Sequence, residues 1–190
     1  MIKVRKGPRR ICQGDIFRDV EYIEYTAEKS GIIEISKILF PHVVVLTQDC
    51  DLEQDHLSRW SRTKPHNQDK WLLSVLVAPI YNKEHVLRGE HLDQLGMKMQ
   101  QMPDSRWFAD SLRENKVPRF HYLEFPENVP VVPSVIDFKH YFSVNLKYLL
   151  RLKRTNFVCC ASALFREDIS QRFSSFLARI GLPKVEVSRS

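Results

Sequence analysis

At 190 residues and 43% hydrophobic, the chain is long enough for one well-buried core and short for two. No apolar run approaches the roughly 18 to 20 residues of a membrane span, and Met1-Ile2-Lys3-Val4-Arg5-Lys6 lacks a signal peptide's apolar stretch, so a cytoplasmic protein without a membrane partner is expected. The irregular spacing of Cys12, Cys50, Cys159 and Cys160 argues against a disulfide framework or a paired-thiolate zinc motif, and the net charge of +6 leans toward an acidic partner such as nucleic acid.

Residues 1 to 12 carry Gly7-Pro8 and five basic side chains, which predicts an extended basic arm with little core of its own. Gln13-Gly14-Asp15 reads as a turn into a strand over 16 to 25, a polar break covers 26 to 31, and a second strand over 32 to 40 places Ile33 and Ile35 on one face. Pro41 then punctuates the way into Val43-Val44-Val45-Leu46, whose β-branched run suits a strand buried on both faces. So many strands in so short a stretch form a meander, because parallel crossovers need a dozen or more residues each.

The polar run 53 to 70 reads as a long loop, and 72 to 80 as a second central strand stopped by Pro79. Segment 82 to 118 reads as a helical insertion, with Asp104 as the cap of a helix over 105 to 115. Later strands are expected over 120 to 125, 131 to 138, 146 to 151 and 157 to 165. In the last element Ile169, Phe173, Phe176, Leu177 and Ile180 recur at helical spacing, closed by Gly181 and Pro183 and followed by a tail from 184. The expected architecture is a single α+β domain over 13 to 183, an antiparallel barrel or sandwich with a C-terminal helix.

The chemistry concentrates where the central strand ends, at Thr47-Gln48-Asp49-Cys50-Asp51. A buried strand fixes geometry there while the adjoining segment can reach a ligand. Asp49 and Asp51, two residues apart, would share a side on an extended segment and with Asp137 could hold a divalent metal; the other reading makes them loop caps. Cys50 between two carboxylates has a disfavoured thiolate unless a histidine such as His42, His56, His121 or His140 approaches. Trp60, between Arg59 and Arg62 in the polar run, suits stacking on an unpaired base while the arginines hold phosphates, or else anchors the loop. Arg5, Arg9 and Arg10 in the arm, and a second group at Lys147, Arg151, Lys153 and Arg154, are either phosphate contacts or a solvated tail and a solvated strand edge.

Taken in order, Gly14-Asp15-Ile16-Phe17, then Pro41 with the run to Thr47, then Pro79-Ile80, then a strand followed by a helix, the chain resembles the PemK/MazF-like toxins. The match covers 13 to 80 loosely and the last 35 residues by topology. It implies an SH3-like β-barrel and a toxin-antitoxin or phage-defence setting with RNA as partner, possibly as an endoribonuclease. The arginine expected before the proline is Phe40, and the serine or threonine expected after Pro79-Ile80 is Tyr81, so the implied site is an altered one. In it Thr47, Asp49, Cys50, Asp51 and His42 stand near the reacting phosphate, with acid-base chemistry needing no cofactor or metal-assisted hydrolysis as the two routes. A non-enzymatic interaction module of a multi-protein assembly, or a homodimer, is the alternative from another class; a cysteine-dependent hydrolase is a third.

Overall fold

A computed structural model of the chain describes residues 2, 3, 10–61, 67–103 and 105–179. It shows an α+β fold on an antiparallel sheet. The sheet comprises β1 (Ile2–Lys3), β2 (Asp15–Lys29), β3 (Ile32–Val45), β4 (Ser74–Asn82), β5 (Phe120–Leu123), β6 (Ser134–Asp137), β7 (Phe142–Asn145) and β8 (Phe157–Ala161). The strands follow one open path, β1-β8-β2-β3-β4-β6-β5, with β7 also on β4. Around the sheet lie α1 (Asp49–Arg59), α2 (Lys83–Arg88), α3 (Arg106–Arg113), α4 (Leu146–Leu152) and α5 (Ala163–Leu177), with short 3-10 turns at Asp93–Leu95 and Phe138–His140.

Alternation along β2, β3 and β4 divides the core between the two faces of the sheet. Phe17, Val43, Val45, Val75 and Val77 pack on one side with Leu52 of α1, Val86 of α2, Leu112 of α3 and Leu149 of α4. Ile16, Val44, Ala78 and Ile80 pack on the other with Ile169, Phe173 and Phe176 of α5. The central strand is thus buried on both faces, as its β-branched run predicts.

Several expectations are corrected. The first two long strands are longer than expected: β2 runs to Lys29 and β3 begins at Ile32, leaving only Ser30 and Gly31 as the turn, both at positive φ (54° and 77°). A two-residue loop of this hand matches the twist of its strands. β3 runs straight through Pro41, and β4 through Pro79, which stands opposite Val43. Of the polar run expected as a loop over 53 to 70, residues 53 to 59 belong instead to α1, while 67 to 70 carry no helix or strand. The segment expected as a strand over 146 to 151 is α4, capped by Asn145, whose side chain accepts from the amides of Lys147 and Tyr148. Ile2 and Lys3 pair with Ala161 and Cys160, while Ile11 and Cys12 are buried, so the N-terminal segment belongs partly to the core and sheet. Ser105 caps α3, its hydroxyl accepting from the Phe108 amide. The expected cap Asp104, the stop signals after Arg179 and the tail lie outside the described residues.

Beyond the core, the β2–β3 hairpin projects as an arm. β2 pairs with β8 only at Asp15, Ile16 and Phe17, and β3 with β4 only at Val43, Val44 and Val45. Among the described residues the distal ladder therefore has two unpaired edges. Its register places Ile23 opposite Lys37, Thr26 opposite Ile35 and Glu28 opposite Ile33. By alternation Ile33, Ile35 and Leu39 share one face with Ile23, and all four are between 55% and 70% exposed.

Candidate functional site

The end of β3 delivers its polar run to a helix N-terminus. Leu46 and Thr47 lead off beside β4, where the Leu46 amide donates to the Leu76 carbonyl at 2.8 Å and the Thr47 hydroxyl accepts from the Leu76 amide at 2.7 Å. Thr47 thus anchors the chain where it leaves the sheet. Asp49, the first residue of α1, turns its carboxylate into a ring of donors: Arg10 in a bidentate pair at 3.1 and 3.0 Å, the Gln13 amide at 3.1 Å and Arg166 Nη1 at 3.2 Å. Burial pushes Asp49 upward, but these donors outweigh it and hold its pKa below the usual carboxylate range. The arginine of α5, the N-terminal segment and α1 are tied at this one carboxylate.

Gly14 makes the approach of Arg166 possible. At φ +76° a Cβ on this residue would stand 2.6 Å from Arg166 Cγ and 2.9 Å from Ala161 Cβ, so glycine is required both by conformation and by space. Asp15 beside it is fully buried, paired with Lys153 Nζ at 2.7 Å and accepting from the Cys12 amide at 2.9 Å. Lys153 Nζ also donates to the Arg10 carbonyl. Burial raises the Cys12 thiol to about 11 and the Cys159 thiol to about 12, and pushes Cys160 up as well, so these three thiols stay protonated at neutral pH.

Asp49, Cys50 and Asp51 occupy the first turn of α1, not an extended segment, so the spacing that would align two carboxylates does not operate. Cys50 is exposed, and its thiol lies nearest Gln48 Oε1 (3.6 Å) and Asp51 Oδ1 (3.8 Å). His42 stands elsewhere, opposite Arg18 in the β2–β3 ladder, its pKa lowered by burial. Asp137 is held apart from Asp49 by its own partners, described below. Among the described residues no group of three or more His, Cys, Asp and Glu side chains has a metal-holding arrangement.

The expected nucleic-acid residues divide in the same way. Arg10 is committed to Asp49. Arg59 donates to Asp55 at 3.0 and 2.5 Å and to the Leu72 carbonyl at 3.0 Å, and lies over the Trp71 ring at 4.5 Å. Trp60 is solvent-exposed. Arg5, Arg9 and Arg62 lie outside the described residues. The second basic group gains a face from its helical fold: Lys147 and Arg151 are one turn apart on α4, Arg154 follows within the next turn, and all three are exposed and without an ion pair among the described residues. Lys153 points inward to Asp15 instead.

A second polar cluster, unforeseen from the sequence apart from Asp137, His140 and His42, lies at the end of β6. The Asp137 carboxylate accepts from Arg119 Nε and Nη2 at 2.8 and 2.6 Å and from the Lys139 amide at 3.0 Å; His140 Nδ1 is 2.8 Å away and His91 Nε2 is 3.9 Å away. Burial pushes this acid upward, but Arg119 and His140 prevail and hold it down to about 2. In front of the cluster opens a cleft of about 390 Å³, bounded by the base of the arm, β4 and the segment after α2, into whose lining His42, Tyr81, His85 and His91 come together. Histidines scattered along the sequence carry no spacing signal, and only the fold assembles them, His42 from β3 and His85 and His91 from α2 and the segment after it. No protein-family model matches the chain, and comparison with curated proteins gives no match either.

Proposed function

We propose that the protein binds nucleic acid, RNA before DNA, through the exposed face of α4. The observation that carries this reading is that Lys147 and Arg151, one turn apart on α4, and Arg154 in the turn that follows it are all exposed, with no ion pair to a carboxylate among the described residues. Arg18 on β2 reaches the Thr155 carbonyl at 3.5 Å but is paired with Asp19 at 3.8 Å, so it is not counted among these cations. The preference for RNA, an SH3-like kinship of the sheet and a toxin-antitoxin or phage-defence setting rest on the PemK/MazF-like resemblance alone. Binding rather than cleavage is the reading favoured by the site at α1, where Asp49 is occupied by arginines and the exposed thiol neighbours an amide and an acid.

The test replaces Lys147, Arg151 and Arg154 together by glutamate. All three are exposed, Arg154 stands outside α4, and at the other two positions glutamate forms helix as well as lysine or arginine, so the fold should persist. Affinity for a single-stranded RNA, read by fluorescence anisotropy at several salt concentrations, should fall by about tenfold or more, and the salt slope should shrink by about 0.7 for each phosphate left without its cation. An unchanged slope and affinity would remove the α4 interface.

A second reading, interaction with protein, is favoured by the arm. Residues 18 to 40 carry five carboxylates against three cations, a net −2 in a chain of +6, so the remainder carries +8. Phosphate would be repelled by such an arm. We propose that its occupant is a second copy of this chain, whose residues outside the arm are net basic in sequence, with the four aliphatic side chains covered in the contact.

A further inference from the structure

Two sets of exposed charges, opposite in sign, have no ion pair among the described residues. Toward the tip of the arm these are Glu24, Glu28 and Glu34, whereas nearer its foot Glu21 is paired with Lys37 and Asp19 with Arg18. Lys29 in the same stretch leaves the tip with three carboxylates against one cation, a net −2 over residues 23 to 36. The other set is Lys147, Arg151 and Arg154 at α4.

Within one chain the two sets stay apart. The Tyr148 hydroxyl accepts from the Glu21 amide at 3.0 Å, which fixes α4 at the foot of the arm. From Glu21 the strand continues to Glu28, seven residues and about 23 Å further on, while the seven residues of α4 span only about 10 Å. The acidic tip therefore stands beyond the reach of its own α4.

Apolar surface matches in the same way. Leu73, 88% exposed, immediately precedes β4, whose first residue Ser74 pairs with Asn145, the cap of α4. Leu57 of α1 and Trp60 just beyond it are exposed too, and α1 is tied to Leu72 by Asp55 on its amide and Arg59 on its carbonyl. Exposed apolar side chains thus border the N-terminal end of α4 as aliphatic ones border the carboxylates of the arm. Glu28 stands opposite Ile33 in the ladder and so shares its side.

We infer that the tip of the arm docks on α4 of a second copy, with Glu24, Glu28 and Glu34 against Lys147, Arg151 and Arg154, and Ile33 and Ile35 against Leu57, Trp60 and Leu73. The inference rests on the second copy as the arm's occupant and names the surface that receives it. A twofold axis repeats the contact, so each arm covers the other copy's α4. The dimer contact and the proposed RNA interface are then one surface, and each excludes the other.

Sedimentation velocity on the full chain tests this with the wild type, Lys147→Glu/Arg151→Glu/Arg154→Glu, Glu24→Lys/Glu28→Lys/Glu34→Lys, and all six changes together. Each triple reversal should raise the dimer dissociation constant about tenfold or more, because like charges then face each other. The combined variant should return to within about threefold of the wild type, since the pairs re-form with their signs exchanged. Leu73→Ser, at an exposed position outside the core, should weaken the dimer with every charge intact. A wild-type dimer that the α4 reversal leaves unchanged, or a combined variant as weak as the single reversals, would overturn the docking on α4 and leave the second copy as occupant; a monomeric wild type would remove both. Single-stranded RNA should convert the dimer into an RNA-bound monomer, and a dimer carrying RNA would overturn the shared surface. Failure of RNA to bind would remove the α4 nucleic-acid reading alone, because the charge exchange is measured without RNA.

Discussion

His121 shows how a single buried side chain sets the acid limit of the fold. Its ring is fully buried against Phe138, with centroids 6.3 Å apart, and neither nitrogen has a hydrogen-bond partner among the described residues. The charged groups near it are Asp168, 3.9 Å away, and Arg172. Burial, reinforced by Arg172, lowers its pKa to about 3 from the ordinary 6.5. The unfolded chain therefore takes up a proton that the folded chain refuses across that interval. The stability contributed by neutral His121 is present in full above pH 6.5 and is lost as pH falls toward 3, at about 1.4 kcal/mol per pH unit. Urea unfolding between pH 7 and about 4.5 should show this slope. His121→Leu should keep only the smaller part owed to His42 and His91, whose pKa values are lowered in the same direction. A variant with the wild-type slope would refute the assignment. Asp137, held down to about 2, adds its own loss only at still lower pH.

At the scale of elements, α1 explains what the sequence hides. Its buried residues are Leu52 and Asp55, so the helix lacks the apolar stripe by which an amphipathic helix is recognised. A carboxylate does the docking instead: Asp55 accepts from Arg59 one turn on and from the Leu72 amide at 2.7 Å, locking α1 to the chain entering β4. An i,i+4 Asp-Arg pair is visible in the run from 53 to 70, but only burial turns it from a surface pair into an anchor. Asp55→Ala leaves a largely buried guanidinium and a backbone amide unpaired, and should destabilise the protein by about 3 to 5 kcal/mol in chemical unfolding. Asp51→Ala, exposed one turn earlier in α1, should stay within about 0.5 kcal/mol. Equal effects would show that helix propensity, not the buried pair, holds α1. The strands read more easily, since Val43-Val44-Val45 and the α5 pattern of Ile169, Phe173 and Phe176 state their burial directly. α4 reads as a strand because Leu146, Tyr148 and Leu150 alternate, while the capping signal at Asn145 points the other way.

For the whole molecule, the sequence conveys an antiparallel meander but not where its hairpin goes. Ile33 and Ile35 alternate as core residues do, yet the sheet contacts of β2 and β3 end before them, and nothing in local spacing records that boundary. The result is aliphatic surface on an acidic arm, in a chain whose remaining residues are net basic in sequence. Two copies related by a twofold axis can satisfy both at once, each arm lying on the other body, and such closure limits the assembly to a dimer. A stable interface of this kind buries about 1,200 to 2,000 Å² in total. Sedimentation velocity should therefore show a dimer at micromolar concentration. The double variant Ile33→Lys/Ile35→Lys should be a folded monomer whose melting temperature no longer depends on protein concentration, because both side chains stand outside the core. Lysine at these positions removes apolar area and also cancels the net negative charge of the arm. Charge reversal at Glu24 and Glu28 to lysine should weaken the dimer with the aliphatic residues intact, and added salt should reproduce part of that loss in the wild type. A wild-type chain that sediments as a monomer throughout would rule out the second copy as the arm's occupant.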